Sequence, residues 1–240
     1  MPNDYFAFQQ FRIEQGPCAM KVSTDACLLG AVADLGGATR LLDIGTGTGL
    51  LALMAAQRHA TVAIEAVEID AAAAAQAAAN VAASPWAGRI RVRAASLAHY
   101  AASGPAPFSH LLCNPPFFRQ SLPSADAARR TARHVSGASL TFEELAGFAA
   151  AFLLPTGALT VLLPPPEMAR FAAAARAVGL GLAARLAVRH RAGGRVTRHI
   201  GRFERGAPAT AETELVIQDE GGTGYSAGFR ALLGGFYLAL

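Results

Sequence analysis

Two short motifs, far apart in the chain, hold the residue types and spacing that can do chemistry. The first spans Asp43 to Gly49 (DIGTGTG), the second spans Asn114 to Phe117 (NPPF), and each closes an apolar run. Glycines let a backbone turn approach a ligand closely. In the second motif an amide, a carbonyl and an aromatic ring can hold a flat amino group. The chemistry expected from this pair is methyl transfer to an amino group.

The glycine motif predicts a binding site for S-adenosylmethionine. A dinucleotide fingerprint needs its third glycine where this chain has Leu50, whereas the GxGxG spacing after an acidic residue suits S-adenosylmethionine. The residues expected around this cofactor share a position at the turn or at the end of a neighbouring strand. They are Asp43, Gly45, Thr46, Gly47, Gly49, Glu68, Ile69, Ser96, Leu97 and Asn114.

Some of these positions leave alternatives open. Glu68 is favoured as the ligand of the ribose hydroxyls because it lies nearer the strand end than Asp70, which is the competing acid. Asp43 can instead hydrogen-bond the turn's own amides, a role that is compatible with cofactor binding. Ser96 can accept a hydrogen bond from the adenine amino group, though more weakly than a carboxylate, and Leu97 can pack on the adenine ring.

The second motif predicts the catalytic residues Asn114, Pro115, Pro116 and Phe117. A conjugated amino group is a poor nucleophile because its lone pair is delocalised. The side-chain oxygen of Asn114 and the carbonyl of Pro115 can accept its two hydrogens and direct the lone pair towards the methyl group. Phe117 would stack on the flat target. Taken alone, the motif is equally well explained as a rigid turn after a strand.

Alternating apolar strands and helices must position these motifs. Strand-like runs at Arg40–Ile44, Val62–Ile69, Arg89–Ala94, Ser109–Asn114 and Ala158–Leu163 alternate with helix-like stretches such as Leu50–Arg58 and Ala71–Ala83. This βαβ repetition predicts an α/β fold with a mostly parallel sheet, helices on both faces and ligands at the carboxyl ends of the strands. The length and the apolar content favour one domain over residues 1–240.

Charge and cysteine content limit the partners. The net charge of +4 is compatible with a nucleic acid, although a genome bias towards arginine explains most of it. Two arginine-rich segments, Phe118–Ser139 and Arg189–Arg205, are interpreted as loops that either contact RNA or are simply solvated. The candidate RNA-binding residues in them are Arg129, Arg130, Arg133, Arg195 and Arg198.

No apolar run is long enough for a membrane span, and no signal segment is apparent, so we expect a cytoplasmic protein without a membrane partner. The cysteines Cys18, Cys27 and Cys113 lack metal-ligand spacing and are expected to be reduced, mostly buried thiols. No metal site is expected.

The sequence resembles the bacterial tRNA adenine-N6 methyltransferases that modify adenine 37 of a valine tRNA. The similar stretches are FQQFRIEQGPCAMKVSTDACLLGA from Phe8, DIGTGTGLLALMAAQR from Asp43, AVEID from Ala66, SPW from Ser84, NPPFF from Asn114 and YSAGFRALLGGFYLAL from Tyr225. The resemblance implies a Rossmann-like class I fold with a seven-stranded sheet, S-adenosylmethionine as cofactor and tRNA as substrate. It also implies that residues 1–35 cover the cofactor or the substrate, while residues 36–240 form the core with RNA-facing loops.

Within that N-terminal segment, the resemblance makes Lys21, Thr24 and Asp25 contacts on the cofactor or substrate side. The chain departs from the family at Ser96, where aspartate is usual, and at Phe117, where tyrosine is common. The NPPF motif is also similar to those of ribosomal RNA guanine-N2 methyltransferases and protein-glutamine methyltransferases. These targets, and an RNA-binding module with a vestigial cofactor site, remain alternatives.

Overall fold

A computed structural model describes residues 4–16, 21–115, 140–207 and 210–240. Its strands are β1 (Tyr5–Ala7), β2 (Arg12–Glu14), β3 (Arg40–Ile44), β4 (Ala63–Glu68), β5 (Ile90–Ala94), β6 (Phe108–Cys113), β7 (Leu153–Leu163), β8 (Leu180–Arg189), β9 (Val196–Arg205) and β10 (Ala211–Val216). Its helices are α1 (Thr24–Val32), α2 (Leu50–Arg58), α3 (Ala71–Ala82), α4 (Leu97–Ala102), α5 (Phe142–Phe152), α6 (Pro165–Ala177) and α7 (Ala227–Leu233). A 3-10 turn (Ala87–Arg89) precedes β5.

In the described part of the chain, eight strands form one sheet in the order β10-β8-β9-β7-β6-β3-β4-β5. Every neighbouring pair is parallel except those that involve β9, which runs antiparallel to both β7 and β8. The mostly parallel α/β fold is therefore confirmed. The sheet has one strand more than the expected seven, because β10 pairs in parallel with β8 and extends that edge.

The interpretation of Arg189–Arg205 as a loop is wrong. Most of this segment is β9, which pairs with β7 and β8 along its length, and only residues 190–195 connect the two strands of the hairpin. Ile200 and Phe203 of β9 are buried in the core. The strand accommodates its arginines because they bind acids: Arg198 contacts Asp25 at 2.7 Å and Arg202 contacts Asp34 at 2.9 Å.

Two apolar layers cover the sheet. On one face, α1, α2 and α7 pack with the β1–β2 hairpin around buried residues such as Leu28, Met54 and Phe229. On the other face, α5 and α6 pack around Phe108, Phe171 and Phe203. Burial of such large apolar side chains is the main favourable term in folding. Because helices cover both faces, the part of the sheet left for a site is the edge at which its strands end.

The register of the sheet brings the carboxyl ends of its central strands to one edge. Ile44 at the end of β3 pairs with Val67 of β4 and with Cys113 of β6. Glu68 at the end of β4 pairs with Ala94 of β5. The residues that follow these strands therefore lie side by side, and they include the glycines of the first motif and Asn114 of the second.

Candidate active site

The glycine turn joins β3 to α2 and is fixed by the backbone of β4. Gly45, Gly47 and Gly49 have φ angles of 70°, 56° and 86°, in the left-handed region where other residues are strained. The amides of Gly45 and Thr46 both donate to the carbonyl of Val67, at 2.9 and 3.0 Å. A Cβ atom added at Gly45 or Gly47 would meet no atom within 4 Å among the described residues. The turn thus borders open space.

Asp43 lies beneath this turn and is fully buried. Its Oδ2 accepts hydrogen bonds from the Thr46 hydroxyl at 2.5 Å and the Ala52 amide at 3.2 Å. Its Oδ1 is buried and has no hydrogen-bond partner among the described residues. Burial raises the pKa of Asp43 to about 7, although both hydrogen bonds act in the opposite direction. Asp43 therefore fastens the turn and still has one unused acceptor.

The two acids at the end of β4 have different roles in the structure. Glu68 accepts the Gly47 amide on Oε2 at 2.9 Å and the Asp70 amide on Oε1 at 3.0 Å. Asp70 caps α3, since its Oδ1 accepts the amides of Ala72 and Ala73, both at 2.9 Å. The carboxylate of Glu68 lies against the glycine turn, while Oδ1 of Asp70 accepts from its own helix. This arrangement favours Glu68 as the ribose ligand.

Ser96 and Ile69 lie at the same edge of the sheet. Ser96 is the N-cap of α4, and its hydroxyl oxygen accepts the His99 amide at 3.1 Å. A hydroxyl oxygen has a second lone pair, so the cap leaves one acceptor position for a ligand. Ile69 is 54% exposed, which leaves a large apolar side chain at the end of β4 without a cover among the described residues. Leu97 opens α4 and is half-buried.

Asn114 follows β6 directly and lies beside the glycine turn, because Cys113 pairs with Ile44. Its Oδ1 is buried and accepts no hydrogen bond from the described residues. A buried acceptor without a donor is costly unless a ligand supplies one. Pro115, which comes next, is buried. Two unsatisfied oxygens, one on Asn114 and one on Asp43, therefore lie at neighbouring strand ends.

Several predicted site residues fall outside the described ranges. They are Pro116, Phe117, Arg129, Arg130 and Arg133. Their predicted roles in catalysis and RNA binding stay predictions, as does the interpretation of Phe118–Ser139 as a loop, which also lies outside the described residues.

The N-terminal contacts expected from the resemblance flank α1. Lys21 is exposed just before the helix, and Thr24 is its exposed first residue. Asp25 binds Arg198 of β9 through a 2.7 Å contact. This ion pair fastens the start of α1 to the sheet, and it favours a structural role for Asp25 and Arg198 over contact with a ligand.

Sequence reasoning missed Asn80, which ties the N-terminal hairpin to the glycine turn. Asn80 is 2% exposed on α3. Its Nδ2 donates to the carbonyls of Thr48 and Glu14, both at 2.9 Å, and its Oδ1 accepts the Glu14 amide at 3.0 Å. An asparagine inside an alanine-rich helix was the available signal, since such a residue is a poor helix former unless its amide is used elsewhere.

Cys27 and Cys113 are free and buried, as expected, and Cys18 lies outside the described residues. Burial raises the pKa of both thiols, that of Cys27 to about 11, so neither is prepared for nucleophilic chemistry at neutral pH. Within the described ranges, no group of acidic, histidine or cysteine side chains could hold a metal ion. Nor is any described helix long and apolar enough to cross a membrane.

The mostly parallel sheet with helices on both faces and a glycine turn at its carboxyl edge defines a Rossmann-like fold. Residues 23–161 match the family described as Methyltransferase small domain. A Dyadobacter fermentans protein named tRNA1(Val) (adenine(37)-N6)-methyltransferase is 41% identical over 239 residues, covering 98% of each chain. A protein of the same name from Tolumonas auensis is 42% identical over 237 residues, covering 98% of this chain and 97% of its own. The chain belongs to the Methyltransferase small domain family and, within it, to the tRNA1(Val) (adenine(37)-N6)-methyltransferases.

Two solved structures support the fold. The crystal structure of a predicted O-methyltransferase from Agrobacterium tumefaciens has a TM-score of 0.67 at 23% identity, and the match covers 88% of this chain and 96% of that chain. A second one, of a ribosomal protein L11 methylase from Lactobacillus delbrueckii subsp. bulgaricus, has a TM-score of 0.56 at 15% identity, with 80% and 83% coverage. These similarities concern the fold alone.

Proposed function

We propose that this protein transfers a methyl group from S-adenosylmethionine to the exocyclic N6 of adenine 37 in a valine tRNA. The observation that carries the proposal is the buried, unpartnered Oδ1 of Asn114 at the strand end beside the glycine turn. The names of the relatives, which match along nearly the whole chain, supply the target base. A tRNA substrate supports the expectation of a cytoplasmic protein.

The residues at the edge of the sheet fit the proposed cofactor. The open space over Gly45 and Gly47 admits a ligand close to the backbone. Glu68 would hold the ribose, the exposed Ile69 and half-buried Leu97 would pack on the adenine, and Ser96 would accept from its amino group. Bound S-adenosylmethionine supplies a methyl group on a positively charged sulfur, and transfer forms the N–C bond as the C–S bond breaks with its electron pair left on sulfur.

The chain's own contribution to the reaction is orientation of the amino group. The side-chain oxygen of Asn114 and the carbonyl of Pro115 would accept its two N–H groups, which turns the nitrogen lone pair towards the methyl group. These acceptors are already placed, so little reorganisation is needed when positive charge develops on the nitrogen. The methylated nitrogen is acidic and loses its proton late, which removes the need for a strong base. The flat base would be swung out of its stack to reach this position.

Cofactor affinity is expected to increase with pH because of Asp43. Burial raises the pKa of its carboxyl to about 7, so the acid form is favoured below that pH. A positively charged cofactor beside it favours the ionised form, and binding therefore releases a proton. The dissociation constant should therefore fall by up to about tenfold per pH unit as the pH rises towards about 7, and it should level off above that pH. Titration calorimetry in buffers of different ionisation enthalpy would measure both the affinity and the proton released.

The matched variant for this prediction is Asp43→Asn, which cannot ionise. Its cofactor affinity should be nearly independent of pH over the same range. If the affinity of this variant changes with pH as it does in wild type, Asp43 is not the cause of the pH dependence. The stability of the ligand-free protein has the opposite dependence. Because the pKa of Asp43 is raised on folding, its contribution to stability is present at low pH and is lost as the pH rises from about 4 through about 7.

The proposed activity is tested by offering the protein labelled S-adenosylmethionine with unmodified tRNA transcripts, ribosomal RNA and a protein release factor. Nucleoside mass spectrometry of the valine tRNA should show N6-methyladenosine at position 37. N2-methylguanosine in ribosomal RNA, or methylglutamine in protein, would show that the substrate is a different one, although the methyl-transfer chemistry would be the same. Tight cofactor binding without product from any acceptor would contradict the proposal.

A further inference from the structure

We propose that the tip of the β8–β9 hairpin, residues 190–195, binds the phosphate backbone of the RNA substrate through Arg195 and Arg191. This inference rests on the proposed function, and it adds to it a surface for the substrate. It is carried by the charge pairing within the hairpin and by the position of its tip on the sheet.

Most arginines of the hairpin are neutralised by acids. Arg185 binds Glu212 of β10, and Arg189 binds Glu214. Arg202 contacts both Asp34 and Glu204. Arg198 is likewise paired, with Asp25. The charge of these side chains is paired within the fold, so they are poor candidates for binding a polyanion.

Arg191 and Arg195 differ, since both are exposed and neither has a carboxylate within 4 Å in the described part of the chain. The neighbouring His190 is also exposed. Arg205 has no acidic partner among those residues either, but its guanidinium donates to the Ala150 carbonyl. Arg205 ends β9 at the opposite edge of the sheet.

The hairpin tip extends past the edge at which the base must enter. Gly201 of β9 pairs with Val161, which is level with Cys113 at the end of β6. From Gly201 the strand continues to Val196, and at a rise of about 3.3 Å per residue this carries the tip about 16 Å beyond the strand ends. Strands lie about 4.8 Å apart, so β9 is displaced sideways from β6 by only about 10 Å.

The tip is held in place by hydrogen bonds that use neither Arg195 nor the terminal nitrogens of Arg191. Arg189 donates to the carbonyl of Gly194 while it binds Glu214 at 2.7 Å. The Gly194 amide donates to the Arg191 carbonyl at 3.0 Å, which closes the turn. Arg191 also donates its Nε to Gln218 at 2.7 Å, which leaves its terminal nitrogens without a described partner. A preorganised turn loses less entropy when it binds.

Arg195 is the stronger candidate of the two. Asp219 and Glu220 border a hollow beside Arg191, so their negative charge opposes a phosphate there. No acid lies within salt-bridge distance of Arg195 among the described residues. The partner chemistry that fits an exposed, unpaired guanidinium is a phosphate oxygen, which it can bind with two parallel hydrogen bonds.

The test compares tRNA binding by wild type, Arg195→Ala and the double variant Arg191→Ala/Arg195→Ala across a salt series. Each phosphate contact contributes a slope of about 0.7 to log K against log salt, so each loss should weaken binding about fivefold at 0.1 M salt. The double variant should bind about 25-fold more weakly, with a slope lowered by about 1.4. The affinity for S-adenosylmethionine should stay the same in all variants.

Two further variants make the result specific. Arg176→Ala removes an exposed arginine from the end of α6, near the start of β8 and therefore at the edge of the sheet opposite to the hairpin tip, and it should leave both affinity and slope unchanged. Arg191→Lys/Arg195→Lys keeps both charges and should keep most of the slope. If the double alanine variant binds tRNA like Arg176→Ala, the proposed surface is wrong. If wild type methylates no tRNA, the proposed function fails instead, so the two failures are distinguishable.

Discussion

Replacing Asn114 with alanine is expected to lower kcat for methyl transfer by about 10² to 10³-fold, the usual effect of removing one preorganised group that stabilises developing charge. The side-chain oxygen is buried beside the glycine turn and has no described hydrogen-bond donor, so the substrate amino group is its expected partner. Single-turnover transfer to tRNA measures the effect on the chemical step. The dissociation constant for S-adenosylmethionine, measured by calorimetry, should be nearly unchanged.

The control for this prediction is Asn114→Asp, which keeps an acceptor oxygen at the same position. It should retain far more activity than the alanine variant, because the N–H group still finds an acceptor. A similar loss in both variants would mean that the amide's shape, rather than its oxygen, is needed. If Asn114→Ala instead loses cofactor affinity in proportion to kcat, the residue belongs to the cofactor site and our assignment of roles is wrong.

Replacing Glu68 with alanine is expected to weaken cofactor binding by about 10- to 150-fold, which corresponds to the loss of hydrogen bonds to a charged group worth about 1.5 to 3 kcal/mol. The carboxylate faces the glycine turn, where it already accepts the Gly47 amide at 2.9 Å. Its removal therefore takes away the expected ribose ligand and loosens the turn. At saturating cofactor, kcat should recover most of its wild-type value, because the amino group of the substrate is expected to be held by Asn114 and Pro115.

Asp70→Ala is the matched control, because Asp70 is the other acid near the end of β4. Its carboxylate caps α3 by accepting the amides of Ala72 and Ala73, so its loss should cost about 1 kcal/mol of folding stability. Cofactor affinity should be little affected. Thermal unfolding and calorimetry on both variants separate the two roles. If Asp70→Ala loses more cofactor affinity than Glu68→Ala, Asp70 is the ribose ligand and our assignment of Glu68 is wrong.

The sequence by itself determined the fold class and the two motifs of the site. The strand Arg40–Ile44 and the helix Leu50–Arg58 were readable with these bounds, and the strand Ile90–Ala94 was predicted one residue too long, from Arg89, because apolar runs alternate with helical periodicity. The glycine positions were readable because only glycine tolerates the left-handed conformation found at Gly45, Gly47 and Gly49. These features depend on local preferences, which the chain carries in its own residue order.

Tertiary structure alone decided which polar side chains already have a hydrogen-bond or ionic partner. The sequence left Glu68 and Asp70 in competition, and only the start of α3 showed that the carboxylate of Asp70 caps that helix. Arg195 and Arg198 looked equivalent in one arginine-rich segment, but the fold brings Asp25 to Arg198 across a large separation in the chain. The role of Asn80 is not encoded locally, because its partners Glu14 and Thr48 come from distant segments. Such pairings depend on how the layers pack, and the order of residues along the chain does not encode them locally.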